Sequence, residues 1–338
     1  MDLRDDQTGK VKVDLKNVSV RGAAFHGIHI SDCSLADKCG GGSGGGGDGS
    51  PASIAFKCTN CIVVDNGFGT QDGDGVRGDE RGMGSLYATI KNSMFNRNGA
   101  DGLELDEGDD GKVWLTVKNS QFNRNGQYCD PAILGEFIPD PDEAEFDESE
   151  QVTEGDIPGP VEDSPDDDCI EYEVSTYDSG FVESYEYGID TDDGVDLDEA
   201  GDGSIWSSMV NTDVNANFDE GVDYDEEGEG DIVTSYVRTR ANLNSDDGYK
   251  HTEEDGGDIY SNVRAAEAAH NGGAGFVYEE EDSGDLSVNV RGSRTAGNDD
   301  GDGPGIEAVQ ELPGTGVLRV RGSSTPDGIE TDDGVDEL

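Results

Sequence analysis

Basic residues are scarce in this chain of 338 residues: 22 Lys and Arg stand against 78 Asp and Glu, a formal net charge of −56. Between Asn125 and Val237 there is no Lys, Arg or His at all. Phosphate binding needs a basic footprint, so no nucleic acid partner is expected. The middle of the chain must instead live with metal cations or high salt. Apolar residues are also few, 32% with 7% aromatic, a composition that alone would suggest disorder. No apolar run approaches the ~18 residues of a membrane span, and Met1-Asp-Leu-Arg-Asp-Asp6 does not read as a secretion signal. The six cysteines are Cys33, Cys39, Cys58, Cys61, Cys129 and Cys169. An even number favours disulfides in an oxidising, extracellular setting. Zinc is the rival, because Cys58-x-x-Cys61 has ligand spacing, although Cys33 and Cys39 are spaced too loosely to complete such a site.

What the chain does have is a period. Asp101-Gly-Leu-Glu-Leu-Asp-Glu-Gly-Asp-Asp-Gly111 recurs as Asp193-Gly-Val-Asp-Leu-Asp-Glu-Ala-Gly-Asp-Gly203 and as Glu220-Gly-Val-Asp-Tyr-Asp-Glu-Glu-Gly-Glu-Gly230. The leading glycines Gly75, Gly102, Gly194, Gly221, Gly248 and Gly275 are 27 residues apart except for one large gap. A fixed period of this length signals a solenoid. After each glycine, apolar residues alternate with acids: Leu103 and Leu105 with Glu104 and Asp106, Val222 and Tyr224 with Asp223 and Asp225. Period-two alternation predicts a half-buried strand. A second strand is predicted beyond the next glycine column, with Val113, Ile205, Ile232 and Ile259 facing inward. Two polar columns follow. Asn92, Asn119 and Asn211 form one; Asn98, Asn125, Asn217, Asn244, Asn271 and Asn298 form the other, which reads as an amide ladder from coil to coil.

The columns resemble the right-handed parallel β-helix repeat family, the pectin-lyase-like superfamily. Val117-Lys-Asn-Ser-Gln-Phe-Asn-Arg-Asn125 closes one coil in that pattern and Asp101-Gly-Leu-Glu-Leu105 opens one. The resemblance implies an all-β parallel β-helix with three short strands per coil and coils about 4.8 Å apart. A single domain over 1–338 is expected, interrupted by an acidic insertion at about 127–187 and a Gly-rich turn insertion at about 39–50. The middle of the acidic insertion, Pro139 to Asp168, reads as a loop, cinched at its base if Cys129 and Cys169 pair. The family contains polysaccharide lyases, hydrolases, epimerases and adhesins, so fold alone does not assign an activity. The Gly-His-Gly and Arg-Ile-Lys signatures of its hydrolases are missing. Tyr187-Gly-Ile-Asp190 is similar to an epimerase motif, but Thr191 and Asp192 stand where Pro and His are required.

Stacking would set like charges side by side, at a cost of roughly 1 kcal/mol per pair even in water. Calcium takes six to eight oxygens in flexible geometry and suits such a row. The expected metal ligands are therefore Glu104, Asp106, Asp196, Asp198, Asp223 and Asp225, with Ca2+ as the ion. Lys250 occupies the next outward position in the same column and is the candidate catalytic base of a calcium-dependent lyase on an acidic, uronate polymer. His251 falls in an inward column and reads as core, whereas His29 and Arg77 should point outward. The first functional reading is a non-enzymatic extracellular or cell-surface module that binds Ca2+ in a structural or carbohydrate-binding role. The lyase or epimerase is the alternative. Partners expected on these readings are a polysaccharide or cell-surface matrix. The lack of any cap before Val11-Lys-Val-Asp-Leu15, and an ending that echoes Gly188 to Val195, point to a slice of a longer protein that self-associates end to end.

Overall fold

The computed structural model describes residues 9–32, 50–69, 72–130, 142–146, 148–153, 155–157, 169–177, 179–189, 191–281, 283–301, 303–311, 313–332 and 334–338. The chain winds into a parallel β-helix. Three long sheets, of ten, eight and nine strands, each take one strand per coil, and every pairing within them is parallel. Strand Lys112–Lys118 belongs to the ten-stranded sheet, Gln121–Asn123 to the eight-stranded sheet and Leu103–Glu107 to the nine-stranded sheet. The pairing register reproduces the sequence period: Val195 lies opposite Val222, Ile205 opposite Ile232 and Ile232 opposite Ile259.

Inward positions of all three sheets fill one continuous core that runs from Val11 to Leu318. It includes every residue that follows a leading glycine: Val76, Leu103, Val195, Val222, Tyr249 and Phe276. Aromatic residues stack along the axis within it, Tyr249 on Phe276 at 4.8 Å and Phe95 on Phe122 at 5.0 Å. His251 is core as expected. It is closed to solvent, and its Nε2 lies 2.8 Å from the hydroxyl of Tyr236.

Two asparagine columns hold the corners. In the buried one, Nδ2 of Asn98 donates to Oδ1 of Asn125 at 3.0 Å, and the pattern continues through Asn217, Asn244 and Asn271 to Asn298. Asn66 extends the ladder backward, and the carboxylate of Asp327 receives its last amide. The exposed ladder links Asn17, Asn60, Asn92, Asn119 and Asn211. Those five residues share a left-handed backbone, with φ between 49° and 55°, which asparagine tolerates better than most residues. The leading glycines make room for the buried ladder: a Cβ on Gly221 would lie 2.6 Å from both Asn244 Nδ2 and Gly248 O.

The long insertion does not interrupt the stacking. Leu103 pairs directly with Val195, and Val113 with Ile205, across it. Part of the stretch predicted to be loop is a strand. Asp142–Glu145 pairs antiparallel with Val182–Ile189, which pairs in turn with Ile170–Thr176. Tyr187 thus sits in this small antiparallel sheet rather than on a coil, and Asp190 lies outside the described residues. A disulfide joins Cys129 to Cys169 at the base of the insertion. A second joins Cys58 to Cys61, so the two sulfurs with zinc spacing are bonded to each other. Cys33 and Cys39 lie outside the described residues.

The buried asparagine ladder makes a direct prediction. Oδ1 of Asn244 accepts both the backbone and side-chain amides of Asn217. Leaving buried donors unmet costs about 1–3 kcal/mol each, so Asn244→Ala should lower unfolding stability by at least ~2 kcal/mol in a urea melt. A loss below ~0.5 kcal/mol would show that the ladder contributes little.

Candidate metal centre

The outward face of the nine-stranded sheet is set by its alternation. Glu104, Asp196 and Asp223 line up in one row and Asp106, Asp198 and Asp225 in the next. The six predicted ligands are therefore brought together, but not in equal surroundings. At one end two arginines cap the rows. Arg77 sits one strand before Glu104 in the same register and bonds it at 2.6 Å, with further contacts to Asp72 at 2.9 Å and Asp79 at 2.8 Å. Asp106 takes the guanidinium of Arg81, and Arg77 lies 3.5 Å from it. Arg77 and Arg81 are both buried. His29, outward as expected, bonds Asp79 at 2.5 Å.

At the other end stands Lys250, with Nζ 3.7 Å from Asp223 and 3.9 Å from Glu220. The carboxylate of Asp223 above all, with Asp225 and Glu220, drives the lysine pKa up. Glu104 and Asp106 thus already have fixed cationic partners, whereas Asp196, Asp198 and Asp225, between the arginines and the lysine, make no ion pair within 4 Å. Burial, then the neighbouring acids, push the carboxyls of Asp196 and Asp198 well above the usual range, and that of Asp225 to about 8.

A third acidic row, not among the expected ligands, runs along the turn that opens each repeat. The residue just before that glycine is Asp74, Asp101, Asp193, Glu220 or Asp247 in successive coils. The row stacks along the turn: the backbone amide of Asp101 donates to Asp74, and that of Asp193 to Asp101. Oxygens of Asp193, Asp219 and Glu220 come within 4.8 Å of one another, as do those of Glu104, Asp106 and Asp198 and those of Asp72, Asp74 and Glu104. The last two groups include carboxylates bound by Arg77. Oδ1 of Asp193 and Oδ1 of Asp223 are closed to solvent and accept no hydrogen bond.

A fourth acidic column lies at the end of the same strands, just before the next turn. Glu80, Glu107, Glu199, Glu226, Glu253 and Glu280 pair in register, and all six are fully buried. Oε atoms of Glu107, Glu226, Glu253 and Glu280 accept the backbone amide of the glycine four residues on. Both Oε atoms of Glu80 and Glu199 and one Oε each of Glu107, Glu226 and Glu253 are closed to solvent and accept no hydrogen bond. Two buried carboxylates stacked in this way offer acceptors and no donor, so burial and their mutual repulsion favour a proton on one of them. Burial raises these groups accordingly, Glu80 to about 8 and Glu226 and Glu253 to about 9. On the seventh rung the chain uses an amide, Gln310, opposite Glu280. The column could have been found by asking which acids recur at a fixed distance before a turn glycine.

An acid whose folded pKa lies above its unfolded value near 4.3 stabilises the fold fully only below that value, and the contribution is lost as pH climbs to the folded pKa. For Glu253 the window runs from roughly pH 4.3 to 9. Glu253→Gln should match the wild type in melting temperature near pH 4.5 and exceed it increasingly toward pH 9, with both proteins in chelator and constant salt. Parallel melting curves for the two proteins across that range would show that Glu253 holds no proton.

No family model matches the chain, and neither a curated protein nor a solved structure matches it.

Proposed function

We propose that the chain is an acidic β-helix module that holds divalent cations, calcium by the chemistry of its donors, along the outward face of the nine-stranded sheet. The observation that carries this reading is the in-register run of Asp196, Asp198, Asp223 and Asp225 beside Asp193, Asp219 and Glu220, with two buried carboxylate oxygens left without a partner. All donors there are hard oxygens on neighbouring coils, which suits an ion of variable coordination number. Arg77 and Arg81 at one end and Lys250 at the other act as fixed counter-ions that bound the cation-binding stretch. Cations between coils would cross-link them and stiffen the rod. Two disulfides fit an oxidising compartment, and among the described residues no helix is long and apolar enough to cross a membrane. A structural or binding role outside the cell or at its surface is the reading that follows, with the β-helix repeat family as an architectural analogy.

The alternative, a lyase or epimerase on a uronate polymer with Lys250 as base, draws no support from the lysine's surroundings. Its carboxylate neighbours favour the protonated form, and a general base must be able to give that proton up near the working pH.

A native-state ligand at 100 times its Kd adds about 2.7 kcal/mol of stability. Calcium added to chelated protein should therefore raise the melting temperature and give a saturable calorimetric titration that Asp196→Asn with Asp223→Asn weakens at least tenfold. If sodium chloride at equal ionic strength restores the same melting temperature, screening explains the effect and the cation reading fails.

A further inference from the structure

The exposed asparagine ladder has a direction. Nδ2 of Asn60 donates to Oδ1 of Asn17 at 2.9 Å, that of Asn92 to Asn60 at 3.4 Å, that of Asn119 to Asn92 at 3.0 Å and that of Asn211 to Asn119 at 2.9 Å. Each of these rungs directs its amide donor at the coil before it. Asn17 stands between Gly9–Lys16 and Ser19–Arg21, the outermost strands of the ten- and eight-stranded sheets. A rung follows it and supplies a donor; no described rung precedes it to receive one. Among the described residues, Nδ2 of Asn17 is therefore the one side-chain amide of this ladder that donates to no acceptor.

The same rung carries a covalent signature. Asn17-Val-Ser19 is the only place in the chain where an asparagine is followed, after one residue other than proline, by Ser or Thr. Asn-x-Ser/Thr is the acceptor sequence for N-linked glycans. On the other four rungs the second residue on is Ile62, Met94, Gln121 or Asp213. The acceptor sequence and the hydrogen-bond direction are independent observations, and they select the same asparagine.

The surroundings suit the modification. Asn17 and Ser19 are both exposed. The corner is held by groups that a sugar on Nδ2 leaves untouched. The backbone amide of Asn17 donates to the carbonyl of Thr59 at 3.0 Å, and the carbonyl of Val18 accepts from Ile62 at 2.9 Å. Oδ1 of Asn17 is engaged by Asn60, whereas its Nδ2 has no bond to lose. On a later rung the sugar would replace a hydrogen of an amide already committed to the coil before it.

We propose that Asn17 is an N-glycosylation site and carries a glycan on the exported chain. In the transfer, Nδ2 of Asn17 bonds to the anomeric carbon of a sugar held on a polyprenyl phosphate or diphosphate. The bond from that carbon to the carrier oxygen breaks, the phosphate leaves with the electron pair, and the amide proton passes to a base of the transferase. The site rests on the reading of an oxidising, extracellular setting, which the two disulfides fit. It is separate from the cation reading, because the acidic rows lie on the nine-stranded sheet.

Mass spectrometry of the chain isolated from the cells that make it tests the site. The intact mass should exceed that of the polypeptide, and peptide mapping should place the excess on Asn17. An amidase that releases N-linked glycans should remove the added mass and leave an aspartate there. Asn17→Gln and Ser19→Ala, made in the same cells, should each lose the glycan. Ser19→Ala, which keeps Asn17 and its bond to Asn60, should melt at the same temperature as the glycosylated wild type. Unmodified Asn17 in the isolated chain would overturn the proposal. Alkylation of thiols before digestion then tells how far the failure reaches: labelled Cys129 and Cys169 would take the extracellular reading down as well, whereas an intact disulfide would sink the glycosylation site alone. A glycan found on a different asparagine, one that persists in Ser19→Ala, or one whose presence lowers the melting temperature would also overturn it.

Discussion

A parallel solenoid in register sets each side chain beside its counterpart one coil away, about 4.8 Å off. Every column must therefore consist of residues that complement themselves. Aliphatic side chains do, and so do stacked aromatics such as Tyr249 and Phe276. Asparagine does so most completely, because it carries a donor and an acceptor and can pass one amide bond along the whole column. Carboxylates do not. An ionised Asp beside an ionised Asp has two acceptors and no donor, and its repulsion grows as the site dries.

This chain nevertheless stacks carboxylates in column after column, and those around the nine-stranded sheet meet the constraint in three ways. Burial raises the pKa of the inner glutamate column, closed to solvent from Glu80 to Glu280, which favours its protonated form, and the amide of Gln310 takes the next rung. The row before the turn glycines directs oxygens at backbone amides, as Asp74 does to Asp101. The two outward rows are closed by guanidinium groups at one end and an ammonium group at the other. Between those ends the sequence supplies no cation of its own, since none of the residues from Asn125 to Val237 is basic. That stretch is where an external cation has both the room in charge and the oxygen donors.

The fold was legible because its signal is periodic. Glycines 27 residues apart, the asparagine column and the alternation of Leu103, Glu104, Leu105 and Asp106 determine strands, corners and register together, and the pairing of Val195 with Val222 follows from them. The candidate site was legible only in part. Placing Glu104 through Asp225 on one face needed the strand period alone. Recognising that Glu104 and Asp106 belong to Arg77 and Arg81 needed the third dimension, because Arg81 lies beyond the end of its strand and reaches across to the next coil. The buried glutamates were hidden by their own chemistry: an acid beside a glycine turn reads as surface, and only the coil packed against it removes the water. Strand Asp142–Glu145 was missed because its partner, Val182–Ile189, lies some forty residues on in an acidic segment with no repeat to reveal it.

The central claim is that stacked acids inside this solenoid are kept neutral by protons. Infrared spectroscopy of the folded protein at neutral pH, in chelator, tests it most directly, because a protonated carboxyl and a carboxylate absorb at separate frequencies. The account predicts a protonated-carboxyl band in the native protein that stays when calcium is added, disappears on unfolding and loses intensity in a variant with Glu226 and Glu253 both replaced by Gln. A native spectrum that contains only ionised carboxylates at neutral pH would contradict it.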